Sequence, residues 1–177
     1  MSHREIRIAG AGGQGVVTAG RILAEAAILS GKMATHNQVY GPQSRGGASR
    51  SDVVIDSGEI GFPLAYDLDI LIALSREACT KYQPELGANA RMIVDRDCGP
   101  DVSPESAILF PVVDTARSVS GGLLATGVVA LGVLQQFADF VDTEALRQAV
   151  AARVPTKFRE MNLDALEAGM GLVGVPA

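Results

Sequence analysis

The chain is 177 residues long, 47% hydrophobic and 20% charged, with a formal net charge of −5. That size and balance predict one globular domain over residues 1–177, and the acidic excess argues against nucleic acid as a main partner, because phosphate binding needs a basic face. Cys79 and Cys98 form no CxxC pair and two histidines accompany them, which excludes a four-cysteine iron–sulfur or zinc site built from this chain alone.

The opening "MSHREIRIAG" carries charges but no apolar run behind them. No signal peptide is therefore expected, and a reducing, cytoplasmic setting fits the sparse cysteines. "EIRIA", Glu5 to Ala9, reads as a first strand that runs into "GAGGQGVVTAG", Gly10 to Gly20. Gln14 to Ser30 reads as a helix, with Val16, Ala19, Leu23, Ala26 and Ala27 at helical spacing and Gly31 placed to stop it. Met33 to Tyr40 is extended in character, and Ser51 to Ser57 alternates before a turn at Gly58. "LDILIAL", Leu68 to Leu74, is continuously apolar, as a central parallel strand covered on both faces would be. Ala90 to Asp95 and Ser106 to Val112 read as two more strands, with Asp114 or Thr115 expected to cap a short helix.

The last third reads as helices over Gly122–Ala138, Thr143–Arg153 and Lys157–Met170. Ser118 to Ala138 carries no charge, but its strongly apolar part is about 14 residues against the roughly 20 that a membrane span needs. A buried or interface helix is expected there, and no membrane partner. The succession predicts an α/β fold: three layers, α/β/α, around a mostly parallel or mixed sheet. It has a Rossmann-like start and a helical C-terminal third.

Gly10, Gly12 and Gly15 have the spacing of a dinucleotide-binding turn, with Gly13 and Gln14 inside it. Free amides at such a helix start favour an anion. A nicotinamide site also wants a carboxylate about 20 residues on, for the ribose hydroxyls. Between Glu25 and Asp52 there is no Asp or Glu, although Lys32, Arg45 and Arg50 lie there. The alternatives left open are a self-contained NAD(P) reductase or nucleotide-binding module, a purely structural strand–turn–helix join, and amides that hold another phosphate or a partner's backbone.

"YGPQSRGGASRSDVVI", Tyr40 to Ile55, adds a second constellation. Gly46 and Gly47 allow close backbone approach, and Arg45 and Arg50 bracket them within an acidic chain. A preformed anion or partner site explains that coincidence, and a solvated turn with two ordinary arginines is the plain alternative. His3, His36, Cys79 and Cys98 have no partner at a telling spacing and read as structural. Asp95 and Asp97 sit at a strand end, where ligand binding and helix capping explain them equally well. No catalytic residue and no metal ligand is assigned.

The two stretches in this order resemble the gamma subunit of 2-oxoacid:ferredoxin oxidoreductases, a family that acts on pyruvate, ketoisovalerate or 2-oxoglutarate. The likeness continues through "DILIALSREA", "GVVALGVL" and "VPTKFREMNLDALEAG", from about Arg4 to Gly171. The resemblance implies a hetero-oligomer with alpha and beta catalytic subunits and a ferredoxin-like delta subunit, and leaves open whether the isolated chain is a homodimer. Thiamine diphosphate, iron–sulfur clusters and CoA then belong to the assembled complex, and none is bound by this chain alone. A 2-oxoglutarate or branched-chain substrate suits a separate chain of this size better than pyruvate. The implied site comprises Gly10, Gly12, Gly13, Gln14, Gly15, Arg45, Gly46, Gly47, Ser49 and Arg50. Arg50 and Ser49, then Arg45, would meet CoA phosphates or a neighbouring subunit. Core packing is expected for Gly121 to Leu134, and the resemblance adds that part of this surface faces the alpha subunit or a second copy.

Overall fold

A computed structural model describes residues 3–39, 48–101, 107–138 and 140–173. Six strands form one sheet: β1 (Arg4–Gly10), β2 (Met33–Val39), β3 (Ser49–Asp56), β4 (Leu68–Ala73), β5 (Leu86–Asp95) and β6 (Ala107–Phe110). Their order is β2-β3-β1-β4-β5-β6. β1, β4, β5 and β6 run parallel to one another, whereas β3 pairs antiparallel with both β1 and β2. The sheet is thus mixed and mostly parallel.

The helices are α1 (Val16–Leu29), α2 (Arg76–Tyr82), α3 (Val112–Ser120), α4 (Thr126–Phe137), α5 (Thr143–Arg153) and α6 (Arg159–Gly171). Alternate residues of the strands divide the core. Ile6, Ile8, Val53, Ile55, Ile70, Ile72 and Ile93 face α1 and α4–α6, while Ala9, Leu71, Ala73, Met92 and Val94 face α2. The two helical layers are therefore unequal. The α2 layer is one short helix, whose Ser75 Oγ accepts from the Ala78 amide as an N-cap. Seven residues carry too little periodicity for α2 to stand out in the sequence, although Ser75 was a readable start signal.

Two boundaries differ from the sequence expectation. The helix expected from Gly122 begins at Thr126, because Gly121 ends α3 in the left-handed region at φ 70° and the chain turns before restarting. Neither Asp114 nor Thr115 caps α3. Pro111 occupies the cap position, and the buried amide of Val113 donates to Asp95 Oδ2, from the end of β5, at 2.8 Å. Asp95 also accepts from the Asp97 amide at 3.1 Å, so capping and turn-making account for it. Burial raises the Asp95 pKa, partly offset by those two amides.

α4 is buried from Thr126 to Leu134 against α1, α3 and α6 of its own chain. A Cβ at Gly132 would collide with the Leu166 carbonyl, and one at Gly169 with the Val129 carbonyl. The glycines thus let α4 and α6 cross backbone to backbone. The uncharged stretch is core from Ala125 to Leu134 but exposed before it, with Leu124 72% exposed, and among the described residues no helix is long and apolar enough to cross a membrane.

Candidate functional site

The glycine turn joins β1 to α1 at the carboxyl end of β1. Gly13 (φ 88°) and Gly15 (φ 71°) adopt left-handed backbone that an L side chain rarely takes, and Gly15 is the N-cap of α1. A Cβ at Gly15 would also lie 2.5 Å from the Leu124 carbonyl. The Gly127 amide, at the start of α4, donates to the Gln14 carbonyl at 2.8 Å. In a dinucleotide turn the third glycine lets helix and strand pack closely. Here it lets a second helix, α4, close on the turn.

Gln14 decides what the turn can hold. Its side chain is buried and folds back into the loop, where Oε1 accepts from the Ala11 amide at 2.7 Å and Nε2 donates to the Leu74 carbonyl at 2.8 Å. β1 leads to α1 on one face of the sheet and β4 leads to α2 on the other. The crevice between the ends of β1 and β4 is therefore the point where open α/β sheets admit ligands. Gln14 bridges that crevice, and its Oε1 stands where a Cβ on Gly10 would be. The outer side of the turn remains open, with no heavy atom within 4 Å of a Cβ built on Gly12 or Gly13.

The neighbours of β1 complete the comparison with a dinucleotide fold. β1 is flanked by β3 and β4, and β2 lies at the sheet edge beyond β3. A carboxylate at the end of β2 would thus be one strand further from the turn than a ribose requires, and β2 carries none.

Register brings the second constellation beside the first. Ser49 lies opposite Gly10 and Arg50 opposite Ala9 in the antiparallel β1–β3 pair. Ala48 precedes them, its amide donating to Glu77 Oε1 of α2 at 3.3 Å. Arg45, Gly46 and Gly47 lie outside the described residues.

Arg50 points to the α2 face. Its guanidinium carbon stands 5.7 Å from the centre of the Tyr82 ring. Its Nε is buried with no hydrogen-bond partner among the described residues, 3.6 Å from Asp52 Oδ2. A buried donor without an acceptor is costly. Asp52 is already engaged: Arg7 Nε and Nη2 donate to its two oxygens at 2.7 and 2.9 Å, and Arg7 Nη1 bonds Glu85. Arg7 also lies 5.1 Å from the centre of the Tyr82 ring, so two arginines approach one aromatic ring. Burial disfavours the Arg7 charge, but the bonds and charge of Asp52, then Glu85, outweigh it and raise its pKa.

The sequence reading missed this network. An arginine within the apolar strand "EIRIAG" and an aspartate at Asp52 leading "VVI" were the signals, since a charge facing inward from a central strand needs a partner.

The discounted residues have structural places. His36 Nε2 and Ser51 Oγ are 2.5 Å apart beneath α1, where Gly20 leaves room for both. His3 meets Asp56 at 2.9 Å and Glu5 at 3.2 Å. Cys79 in α2 and Cys98 in the turn after β5 are buried free thiols, and Cys98 is raised far above the usual thiol range, first by its hydrogen bond with Cys79 and then by burial. Among the described residues no group of three or more His, Cys, Asp or Glu side chains is arranged to hold a metal ion.

Residues 5–172 match the family model described as pyruvate ferredoxin/flavodoxin oxidoreductase. The 2-oxoglutarate synthase subunit KorC of Methanothermobacter marburgensis is 38% identical over 180 residues, covering 97% of this chain and 97% of that one. The crystal structure of the gamma subunit of a keto/oxoacid ferredoxin oxidoreductase from Geobacter sulfurreducens superposes with a TM-score of 0.84 at 39% identity, again covering 97% of each chain. A 2-oxoglutarate:ferredoxin oxidoreductase from Magnetococcus marinus, with 2-oxoglutarate, coenzyme A and succinyl-CoA bound, shares the fold at a TM-score of 0.87 and 22% identity. That likeness covers 100% of this chain and 32% of the longer one.

Proposed function

The chain belongs to the pyruvate ferredoxin/flavodoxin oxidoreductase family, and from that premise we propose that it is the gamma subunit of a thiamine diphosphate-dependent 2-oxoacid:ferredoxin oxidoreductase. The assembled enzyme converts a 2-oxoacid, CoA and oxidised ferredoxin to an acyl-CoA, CO2 and reduced ferredoxin. Alpha and beta subunits hold thiamine diphosphate, a ferredoxin-like delta subunit carries iron–sulfur clusters, and this chain shapes the CoA cleft and supports assembly. The likeness to KorC supports 2-oxoglutarate as the substrate.

The observation that carries the reading is the pairing of Gln14 with Arg50. Gln14 seals the crevice against a dinucleotide, while one register step away Arg50 offers a buried donor with no acceptor among the described residues. A turn closed to its own cofactor beside a cationic donor that makes no hydrogen bond with a described residue suits a wall completed by another molecule's anion. CoA phosphates supply that anion in this proposal, with Ser49 and the open backbone of Gly12 and Gly13 beside them.

The test is reconstitution. This chain is co-expressed with candidate alpha, beta and delta chains, and 2-oxoglutarate- and CoA-dependent ferredoxin reduction is measured with and without it. Activity should require the chain and should co-purify with it. Oxidation of NAD(P)H by the chain alone, or full activity in its absence, overturns the reading.

A further inference from the structure

The described residues enclose a cleft of about 420 Å³ toward the opposite end of the strands from the glycine turn. Arg4 opens β1 and lines this cleft, whereas Gly10 closes β1 at the turn. A seven-residue strand separates the two ends by about 20 Å. The cleft therefore belongs to neither the crevice nor the Arg50 face.

We propose that this cleft binds a small carboxylate with an apolar body. Its floor is apolar and comes from four strands: Ile55 of β3, Ile70 of β4, Ile93 of β5 and Ile108 of β6. Phe137, at the end of α4, forms a wall and stacks edge-to-face on Phe110 at 5.5 Å. Ile108 stays 37% exposed. An occupant with a hydrocarbon body would take those surfaces out of water. The volume falls within the roughly 300–1,000 Å³ of small-molecule sites.

The rim sets the sign of the head group. Among the described lining residues it holds three cations, Arg4, Lys32 and Arg91, and one carboxylate, Asp69. Asp139, beside Ala138 of the lining, lies outside the described residues. Asp69 is already shared between Arg4 at 3.2 Å and the Glu5 amide at 2.8 Å. The Lys32 ammonium is fixed at the rim by the Phe140 carbonyl at 2.6 Å. Arg91 faces Ile70 across the β4–β5 register and makes no ion pair with another described residue. A planar guanidinium free at the mouth matches a carboxylate through two parallel hydrogen bonds. One such group over an apolar floor suits a monoanion, since a polyphosphate would lose more hydration than this rim returns.

The full-length chain tests this with 8-anilino-1-naphthalenesulfonate as the fluorescent probe, displaced by decanoate, indole-3-acetate or decanol. One probe should bind per chain, and a carboxylate should displace it at least tenfold more effectively than decanol. Decanoate outcompeting indole-3-acetate marks an acyl-chain ligand, and the reverse marks an aromatic one. Arg91→Glu should weaken carboxylate binding at least tenfold, while Arg117→Glu, on the exposed face of α3, leaves it unchanged. Ile108→Glu, at an already exposed position, should do the same as Arg91→Glu by charging the floor. Equal displacement by decanol, or unchanged binding in Arg91→Glu, overturns the proposal. Loss of the probe site on assembly with partner subunits also overturns it, in favour of a protein interface.

Discussion

Gln14 ties the glycine turn to the end of β4: its Nε2 donates to the Leu74 carbonyl at 2.8 Å while its Oε1 holds the Ala11 amide at 2.7 Å. Gln14→Ala removes both partners and leaves the buried Leu74 carbonyl and the partly buried Ala11 amide without them. Each lost bond is worth about 1 kcal/mol, and each orphaned group adds a desolvation penalty, so the expected loss is about 3 kcal/mol. Gln14→Glu keeps the shape but sets a carboxylate oxygen against the Leu74 carbonyl and should be no milder. Urea unfolding at constant slope measures both. A loss under about 0.5 kcal/mol in either variant would remove Gln14 as the plug of the crevice.

Arg7 and Asp52 form a buried, two-point ion pair between β1 and β3. Removing one partner strands a charge, so Asp52→Asn should cost about 3–5 kcal/mol. Replacing both, as in Arg7→Met with Asp52→Leu, should recover much of that loss, because two charges no longer need desolvation. Glu85 and Arg50 limit the recovery, since each loses a neighbour. A double variant as unstable as the single one would show that the network does more than balance its own charges.

The strand order was the part of the fold that local pattern could not carry. β1, α1 and β4 read cleanly because continuous apolar runs and 3.6-residue spacing are local properties. The place of β2 and β3 depends on which edge the chain returns to, and "VVI" alternates equally well in either direction. The site divides the same way. Gly10 to Gly15 and Ser49–Arg50 stood out as motifs, but the β1–β3 register that sets them side by side is long-range. The inward-facing use of Gln14 was invisible for a related reason. A glutamine in a glycine-rich turn looks solvent-facing until the carbonyl of Leu74, sixty residues away, arrives to receive it.

His36 and His3 should titrate in opposite directions from the usual 6.5. Burial lowers the His36 pKa first, with the Arg21 charge adding to it, so the folded chain refuses a proton that the unfolded chain accepts. Its effect is a loss of stability as pH falls through 6.5. For His3, the bond to Glu5 and then that to Asp56 raise the pKa. Its contribution is full below 6.5 and is lost as pH rises through the folded value. NMR titration of the two imidazole rings checks this directly: one midpoint above 6.5 and sensitive to Asp56→Asn, the other below 6.5 and sensitive to Ser51→Ala. Two midpoints on the same side of 6.5 would contradict the assignment.

Gly169 lets α6 touch α4, since a Cβ there would meet the Val129 carbonyl and approach the Gly132 Cα at 3.1 Å. Gly169→Ala must push two core helices apart, a strain of about 3 kcal/mol. For a chain of this length that lowers the melting temperature by about 10 °C. Calorimetry of Gly169→Ala against Gly171→Ala, where a Cβ meets nothing within 4 Å, isolates the crossing from helix propensity. A smaller drop at Gly169 than at Gly171 would mean that the helices yield without cost.

Arg50 separates a binding role from a structural one. Its Nε makes no hydrogen bond with any described residue, so Arg50→Ala should cost the isolated chain under about 1 kcal/mol, most of it from the lost stacking on Tyr82. In the reconstituted complex the same change should raise the KM for CoA about tenfold, the worth of one charge-assisted hydrogen bond, and leave the KM for the 2-oxoacid nearly unchanged. Arg50→Lys should restore only part of that loss, because an ammonium cannot reproduce the directional donor at Nε. A loss of stability with no change in KM would make Arg50 a prop for Tyr82. A tenfold rise with stability intact would make it the contact the phosphate needs.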